Sequence, residues 1–353
     1  MTIFITGFPG FIASRLVRRL AEIGDAHFQL LVQPAFLPQA ESEARRIAVK
    51  TGKTPDAFRL MPGDITEERL GMSERDLVAV QGEASIIFHL AAIYDLGVER
   101  ELAMRVNVRG TQNVNRFAAT LPHLSHYHYV STCYVAGKRT GRILESELEH
   151  DAGFRNYYEE TKYLAELEVE RLRGELPVTI HRPSVVCGDS QTGETAKYDG
   201  IYYLINYLRK SPSVLALANI GNPAVRLNLV PVDYVVESLA ALCRDEGSIG
   251  ATVQIADPAP LTTAELFESI ARALTRRGSL LRVPAPLVRT TLGIPFTEVV
   301  TGMPSVAVPY FFIEQQYDTM RAAALLRPHN VSCPPFDSYI ENLVRFVAAS
   351  AQS

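Results

Sequence analysis

Short apolar runs alternate with stretches of helical periodicity along the first half of the chain. Short apolar runs that end at Gly or Pro are typical of buried strands, and apolar residues three and four apart are typical of a helix packed on a core. Strands are predicted at residues 3–5, 28–32, 58–61, 85–91, 127–132 and 178–181. Helices are predicted at residues 11–23, 99–119 and 159–173. This alternation predicts an α/β fold, a doubly wound parallel sheet with helices on both faces.

The rhythm loosens after about residue 190. An aromatic-rich helix is predicted at residues 199–209, and further strands at residues 227–230 and 252–256. We therefore predict a first domain at residues 1–190, with later strands near 225–258 returning to its sheet. Residues 191–224 and 259–353 are expected to form a smaller, mainly C-terminal substrate lobe.

Composition narrows the class of protein. The net charge is −4 and no Lys/Arg-rich stripe is present, so nucleic acid is not expected as a partner. The four cysteines are widely spaced without a C-x-x-C motif, which predicts neither a metal site nor disulfides and favours a cytoplasmic location. The N-terminus lacks the pattern of a signal peptide. The apolar run at residues 285–313 is punctuated by prolines, so we expect a folded lobe rather than a transmembrane segment.

The first strand runs into a glycine-containing turn that opens the first helix. This strand–turn–helix context is that of a dinucleotide-binding fingerprint, in which one glycine permits the tight turn and another lets the pyrophosphate approach the backbone. The phosphates then lie at the helix N-terminus, where free N–H groups favour anions. We therefore predict a Rossmann-type fold whose cofactor-binding turn contains Gly7, Phe8, Pro9, Gly10, Phe11 and Ile12.

The choice between NAD and NADP depends on the residue after the second strand, where an acidic side chain binds the ribose hydroxyls and an arginine binds the extra phosphate. Gln33 holds this position and is neutral. Arg45 and Arg46 follow, either within reach of a phosphate or on the solvated face of a helix. Asp64 and Ile65 follow the third strand, where the adenine is expected; Asp64 is also a candidate cap for a helix just after it. The sequence leaves NAD or NADP open.

Tyr158 and Lys162 lie four residues apart, so in a helix they share one face. A phenol is a poor acid–base group at neutral pH, but a nearby ammonium together with a bound positive nicotinamide lowers its pKa. Tyr158 is then expected to exchange a proton with a carbonyl oxygen during hydride transfer. Thr132 closes the fifth strand, at the sheet edge where ligands bind, and its hydroxyl is a candidate to orient the same oxygen.

In this order the motifs resemble the extended short-chain dehydrogenase/reductases, over roughly residues 1–260. By that resemblance Thr132, Tyr158 and Lys162 take the places of the catalytic hydroxyl, tyrosine and lysine, and the lysine also holds the ribose. Asn107 takes the place of the helix asparagine near the active site. The resemblance also implies that the cofactor is lined by Ala91, Ala92, Pro183 and Val185.

Residues 88–92, 131–137, 188–194 and 228–234 are similar to the thioester-reductase and fatty acyl-CoA reductase (male-sterility) branch. This resemblance implies NAD(P)H-dependent reduction of a carbonyl, an acyl thioester or a long-chain aldehyde. Gln33 departs from the arginine that this branch usually carries after the second strand, which weakens an inference of NADPH. No adenylation or carrier domain is read in these residues, so the substrate is expected free, as a coenzyme A ester or on a separate carrier.

The same catalytic residues serve nucleotide-sugar epimerases and dehydratases, which retain NAD through the cycle. This is the alternative function that the sequence leaves open. A homodimer built on helices beside the site is common in the family, and the sequence leaves the oligomeric state open.

His126 and His128 alternate with tyrosines, which places both on one face of a strand. A metal pair would need a third ligand, and none is evident in the sequence. We therefore expect these histidines on an ordinary strand surface.

Overall fold

A computed structural model describes residues 1–198, 200–210, 218–279, 281–282 and 308–350. In chain order the strands are β1 (Thr2–Thr6), β2 (His27–Val32), β3 (Phe58–Pro62), β4 (Ala84–His89), β5 (His126–Val130), β6 (Gly141–Ile143), β7 (Val178–Pro183), β8 (Val185–Cys187), β9 (Ala218–Asn219), β10 (Leu229–Pro231), β11 (Thr252–Ile255), β12 (Leu281–Arg282) and β13 (Gln315–Tyr317). Seven of them form one parallel sheet in the order β11-β7-β5-β4-β1-β2-β3. The predicted α/β fold is confirmed.

Helices cover both faces of this sheet. They are α1 (Phe11–Ile23), α2 (Leu37–Thr51), α3 (Glu74–Glu83), α4 (Arg100–Ala103), α5 (Gly110–Ala118), α6 (Tyr157–Glu170), α7 (Ile201–Lys210), α8 (Val232–Leu242), α9 (Thr263–Thr275), α10 (Met320–Leu326) and α11 (Ile340–Ser350). Buried residues of α1, α2, α8 and α10 form a core on one face, and those of α3, α5 and α6 form a core on the other. Burial on both faces explains why the strands read as continuous apolar runs.

Two helices near the site differ from their predicted bounds. The helix expected at residues 99–119 is interrupted by π-helical turns over Met104–Arg109, between α4 and α5. The helix expected at residues 159–173 begins at Tyr157, because the Asn156 side chain accepts a hydrogen bond from the Glu159 N–H at 3.0 Å and caps it. This cap places Tyr158 in the first helical turn.

The strands after residue 190 belong to four different sheets, and among them β9 pairs with β12 and β13 pairs with β6. β11 joins the main sheet beside β7, whereas β10 pairs with β8 in a separate two-stranded sheet. Buried residues of α7, α9 and α11 form a third core that includes Tyr202, Phe267 and Leu343. The domain bounds at residue 190 stay a prediction. Most of the apolar run at residues 285–313 lies outside the described residues.

The expectation that His126 and His128 lie on a strand surface is wrong. Both rings are buried, because β5 is an inner strand covered by helices on each face. His128 Nδ1 lies 3.0 Å from His181 Nε2, and His126 Nε2 lies 2.7 Å from the Thr179 hydroxyl. Despite this third neighbouring histidine, no group of His, Cys, Asp or Glu in the described part of the chain is arranged to hold a metal ion. No helix of the described residues is both long enough and apolar enough to cross a bilayer.

Candidate active site

A cavity of about 900 Å³ opens along the carboxyl edge of the main sheet. Its wall includes segments that follow β1, β2, β3, β4, β5 and β7, and parallel sheets bind their ligands at this edge. The predicted site residues that line it are Gly7, Phe8, Pro9, Gly10, Phe11, Ile12, Gln33, Asp64, Ile65, Ala91, Ala92, Thr132, Tyr158, Lys162, Pro183 and Val185. The fold thus brings residues from distant parts of the sequence into one site.

The turn after β1 forms a cradle that side chains would fill. A Cβ atom on Gly7, whose φ is +90°, would lie 2.8 Å from the Ala91 backbone nitrogen. A Cβ atom on Gly10 would lie 2.6 Å from the Gly7 carbonyl oxygen. Gly10 is also the N-cap of α1 and offers no side chain to the first N–H groups of that helix. Open N–H groups at a helix N-terminus and close backbone packing fit the pyrophosphate of a dinucleotide.

A buried chain of hydrogen bonds fixes the loop after β4 along the cavity. The Ala91 N–H donates to the Thr6 hydroxyl at 3.1 Å, and that hydroxyl lies 2.8 Å from His89 Nδ1. His89 Nε2 lies 3.1 Å from the Thr111 hydroxyl. Burial and the nearby Lys162 charge lower the pKa of His89 to about 3, so the ring is neutral. Sequence reasoning missed this chain; its signal is a polar residue at the end of each of two apolar strands.

Gln33 and Asp64 lie next to each other at the carboxyl ends of β2 and β3. Gln33 Nε2 donates to Asp64 Oδ2 at 2.8 Å, and Asp64 Oδ1 accepts from the Thr66 N–H at 2.8 Å. The expectation that Asp64 caps a helix just after it is wrong, because α3 begins at Glu74 and has Ser73 as its cap. Asp64 instead closes a turn and holds the Gln33 amide.

Arg45 and Arg46 lie on the solvated face of α2, the second of the two interpretations that the sequence allowed. Arg45 pairs with Glu41 at 3.4 Å, and Arg46 pairs with Glu43 at 2.6 Å. Neither arginine lines the cavity.

Tyr158 and Thr132 face the cavity from the first turn of α6 and the end of β5. The Tyr158 ring is buried and meets the Tyr94 ring edge-on, with centroids 5.1 Å apart. Burial raises the pKa of Tyr158 well above its ordinary value, while a hydrogen bond with Thr132 partly lowers it. The protein alone therefore does not supply the lowered phenol pKa expected from the sequence, because the effect of burial outweighs that of the hydrogen bond with Thr132. The raised pKa keeps Tyr158 protonated at neutral pH.

Lys162 reaches the end of β5 from one helical turn further along α6. Its Nζ donates to the Tyr129 hydroxyl at 3.0 Å and to the Val130 carbonyl oxygen at 2.9 Å. The side chain is buried, and burial lowers the pKa of Lys162 to about 7, although Glu166 opposes the shift. Near neutral pH this amine therefore changes between its charged and neutral forms within the site.

Asn107 lies behind the cavity wall, in the π-helical turns. Its Nδ2 donates to the Thr161 hydroxyl at 3.1 Å and to the Ile93 carbonyl oxygen at 3.3 Å. Its Oδ1 accepts from the Ile93 N–H at 2.8 Å. These contacts support a role in positioning the loop after β4 against α6, while a direct catalytic role stays a prediction. A π-helical insertion is a frequent device for turning such a side chain inward.

A buried ion pair missed by sequence reasoning connects three elements of the site. Glu166 Oε1 accepts from Arg182 Nε at 2.8 Å, and Glu166 Oε2 accepts from the Ser131 hydroxyl. Both charged side chains are almost fully buried. The pair holds the ends of β5 and β7 against α6, directly beside Thr132. Glu166 lies four residues after Lys162 on one helix face, but that spacing does not indicate Arg182 of β7 as its partner.

The sequence profile of the NAD-binding domain family described as male sterility protein matches residues 5–239. A linear gramicidin synthase from Brevibacillus parabrevis is 24% identical over 285 residues, which are 78% of this chain and 5% of that protein. The Drosophila melanogaster fatty acyl-CoA reductase wat is 23% identical over 278 residues, 69% of this chain and 54% of that protein. The chain thus spans about half the length of these relatives or less.

Solved structures agree with this grouping. The terminal R domain from the myxalamid PKS-NRPS biosynthetic pathway superposes with a TM-score of 0.82 and 25% identity, covering 100% of this chain and 91% of that domain. A Bacillus cereus UDP-glucuronic acid 4-epimerase in complex with NAD superposes with a TM-score of 0.69 and 18% identity, covering 100% and 98%, which shows a shared fold alone. The chain therefore belongs to the male sterility family of NAD-binding domains, within the NAD(P)-dependent oxidoreductases of the extended short-chain dehydrogenase/reductase type.

Proposed function

We propose that this chain reduces the carbonyl of an acyl thioester or a long-chain aldehyde, with Tyr158 as the proton donor. One observation carries the proposal: Thr132, Tyr158 and Lys162 line the same cavity as the cradle formed by Gly7 and Gly10. A bound NAD(P)H supplies the hydride. The fold thus provides one continuous space for a dinucleotide and for a carbonyl beside the tyrosine.

The protein groups divide the proton chemistry between them. Burial raises the pKa of Tyr158, so its hydroxyl holds a proton that it can give to the carbonyl oxygen as negative charge develops there. Thr132 lies at hydrogen-bond distance of the same phenol and is placed to orient the oxygen. Lys162 adds positive charge beneath them, which favours the phenolate left after the proton moves. Reduction of an acyl thioester consumes one hydride and one proton, breaks the C–S bond and gives an aldehyde and a free thiol. Reduction of an aldehyde consumes one hydride and one proton and gives an alcohol.

The cavity wall near Tyr158 suits an apolar acyl group. Ile93 and Tyr134 line the cavity and pack in the same apolar cluster as Tyr158, and the Tyr94 ring meets the Tyr158 ring edge-on. Such a wall favours burial of hydrocarbon at about 25 cal/mol per Å². The names of the relatives, a gramicidin synthase and a fatty acyl-CoA reductase, support a thioester as the substrate, delivered on coenzyme A or on a separate carrier.

The test is to mix the purified chain with NADH or NADPH and a panel of acyl-CoA esters, N-acetylcysteamine thioesters and aldehydes of increasing chain length. We expect cofactor oxidation that rises with chain length, with aldehyde or alcohol formed in matching amount. No oxidation across the panel by a protein that binds the dinucleotide would contradict the proposal. Tightly held NAD in the freshly purified protein, detected by mass spectrometry, together with no net oxidation, would favour a nucleotide-sugar epimerase instead.

A further inference from the structure

The end of the cavity at Gln33 and Asp64 lacks the chemistry that a second phosphate needs. Both side chains line the cavity, and both follow strands of the sheet that are direct neighbours, β2 and β3. The Gln33 amide nitrogen is committed to the Asp64 carboxylate at 2.8 Å. The amide oxygen of Gln33 accepts no hydrogen bond within the described residues. What this pair presents to a ligand is therefore a set of acceptor oxygens and one negative charge.

Acceptor oxygens at this position match a ribose that carries free hydroxyls. In dinucleotide-binding sheets the residue after the second strand meets the 2′ position of the adenosine ribose. A 2′-hydroxyl donates a hydrogen bond, which an amide or carboxylate oxygen accepts. A 2′-phosphate carries about 1.5 to 2 negative charges at neutral pH and is repelled by a carboxylate. The carboxylate of Asp64 is fixed in place by its second bond, to the Thr66 N–H.

No cationic side chain of the described residues forms a hydrogen bond or an ion pair with Gln33 or Asp64 that would offset this repulsion. The cationic side chains that line the cavity are Arg105, Lys162 and Lys197. Lys162 is bonded at the end of β5, and Lys197 donates to the Tyr94 carbonyl oxygen at 2.9 Å, on the Tyr158 side of the cavity. Arg105 lies on the π-helical turns that also carry Asn107.

The two arginines that follow β2 in sequence pair with glutamates of their own helix. Arg46 forms a close pair with Glu43 of its own helix, and Arg45 is 72% exposed beside Glu41. Exposed pairs of this kind contribute little stability. Neither arginine contributes to the cavity wall.

From this arrangement we infer that the chain selects NAD(H) over NADP(H), and that Gln33 and Asp64 are the residues that determine the choice. The inference concerns dinucleotide binding and does not depend on which carbonyl compound is the substrate. If no compound of the substrate panel is reduced, the inference about NAD(H) is unaffected. If the inference about NAD(H) is wrong, the proposed reduction is likewise unaffected.

The experiment measures the dissociation constants of NADH and NADPH for the purified chain by nucleotide fluorescence and calorimetry, without substrate. We expect NADH to bind at least about tenfold more tightly, a difference of about 1.4 kcal/mol. Gln33→Arg is expected to shift the ratio of the two constants toward NADPH by about tenfold or more, since it adds a cation beside the ribose position. Asp64→Asn removes the charge at nearly constant shape and should shift the ratio in the same direction.

Gln316→Arg is the matched control, because Gln316 is exposed on β13 and does not line the cavity. It adds the same charge and should leave the ratio unchanged. If the parental chain binds NADPH as tightly as NADH or more tightly, the inference is overturned, above all if the substitution Arg105→Ala then abolishes NADPH binding. A ratio that neither Gln33→Arg nor Asp64→Asn moves, in variants that still bind NADH, would overturn the assignment of these two residues.

Discussion

Four buried histidines make the stability of this fold sensitive to mild acid. Burial lowers the pKa of His89 and His181 to about 3 and that of His126 to about 4, and it holds the pKa of His128 well below its ordinary value. In the unfolded chain each ring regains a pKa of about 6.5. Below about pH 6.5 the unfolded state therefore binds more protons than the folded state, and the free energy of unfolding falls as the pH falls.

The magnitude follows from proton linkage. Each histidine that stays neutral in the fold and becomes charged on unfolding removes about 1.4 kcal/mol per pH unit, or about 2 kcal/mol between pH 7 and pH 5. His128 and His181 are hydrogen-bonded to each other, so their protonations are coupled. Four independent histidines would together remove about 8 kcal/mol over this pH range. Even half of that sum, about 4 kcal/mol, is a large part of the 5–15 kcal/mol that stabilises a typical domain. The loss of stability should be complete only when the pH has fallen to the pKa values that these histidines have in the folded protein.

Urea unfolding at a series of pH values between about pH 7.5 and pH 5 measures this effect directly. His126→Gln removes one of the four groups and is expected to reduce the dependence on pH by about one proton equivalent. His123→Gln is the control, because the His123 side chain is exposed in the folded protein. A free energy of unfolding that stays constant over this range, or a slope that His126→Gln leaves unchanged, would refute the reasoning.

Three further predictions concern the site. Since burial brings the pKa of Lys162 to about 7, kcat/KM should fall as the pH rises above 7 and the amine loses its charge, which a pH–rate profile measures. Gly10→Ala places a methyl group against the Gly7 carbonyl oxygen, so it should lower the thermal midpoint of the free protein and also weaken dinucleotide binding at least about tenfold by calorimetry. Arg182→Met leaves the Glu166 charge buried and alone, and should lower the free energy of unfolding in urea by about 3–5 kcal/mol.

The sequence predicted the parts of this molecule that rest on local pattern. The alternation of apolar strands and periodic helices predicted the order of the elements, and the glycine turn and the Tyr158–Lys162 spacing predicted part of the cavity wall. Each of these signals is contained in a few consecutive residues. The parallel sheet then brings them together, because all its strands end at one edge.

What sequence reasoning missed depends on contacts between distant segments. The pairing of Glu166 with Arg182, and that of His128 with His181, joins residues of different elements. The raised pKa of Tyr158 likewise depends on how deeply the fold buries the ring, which spacing along one helix does not reveal. The register of the strands and the depth of the core decide these features.

The central claim is that Tyr158 gives its proton to a carbonyl oxygen during hydride transfer. Its most direct test is a single-turnover measurement of hydride transfer with Tyr158→Phe, using the substrate that the panel identifies. Phenylalanine keeps the buried ring and removes only the hydroxyl. For Tyr158→Phe we expect unchanged dinucleotide binding and a hydride-transfer rate lower by about 100-fold or more. A rate within about twofold of the parental chain, in a variant that binds dinucleotide normally, would contradict it.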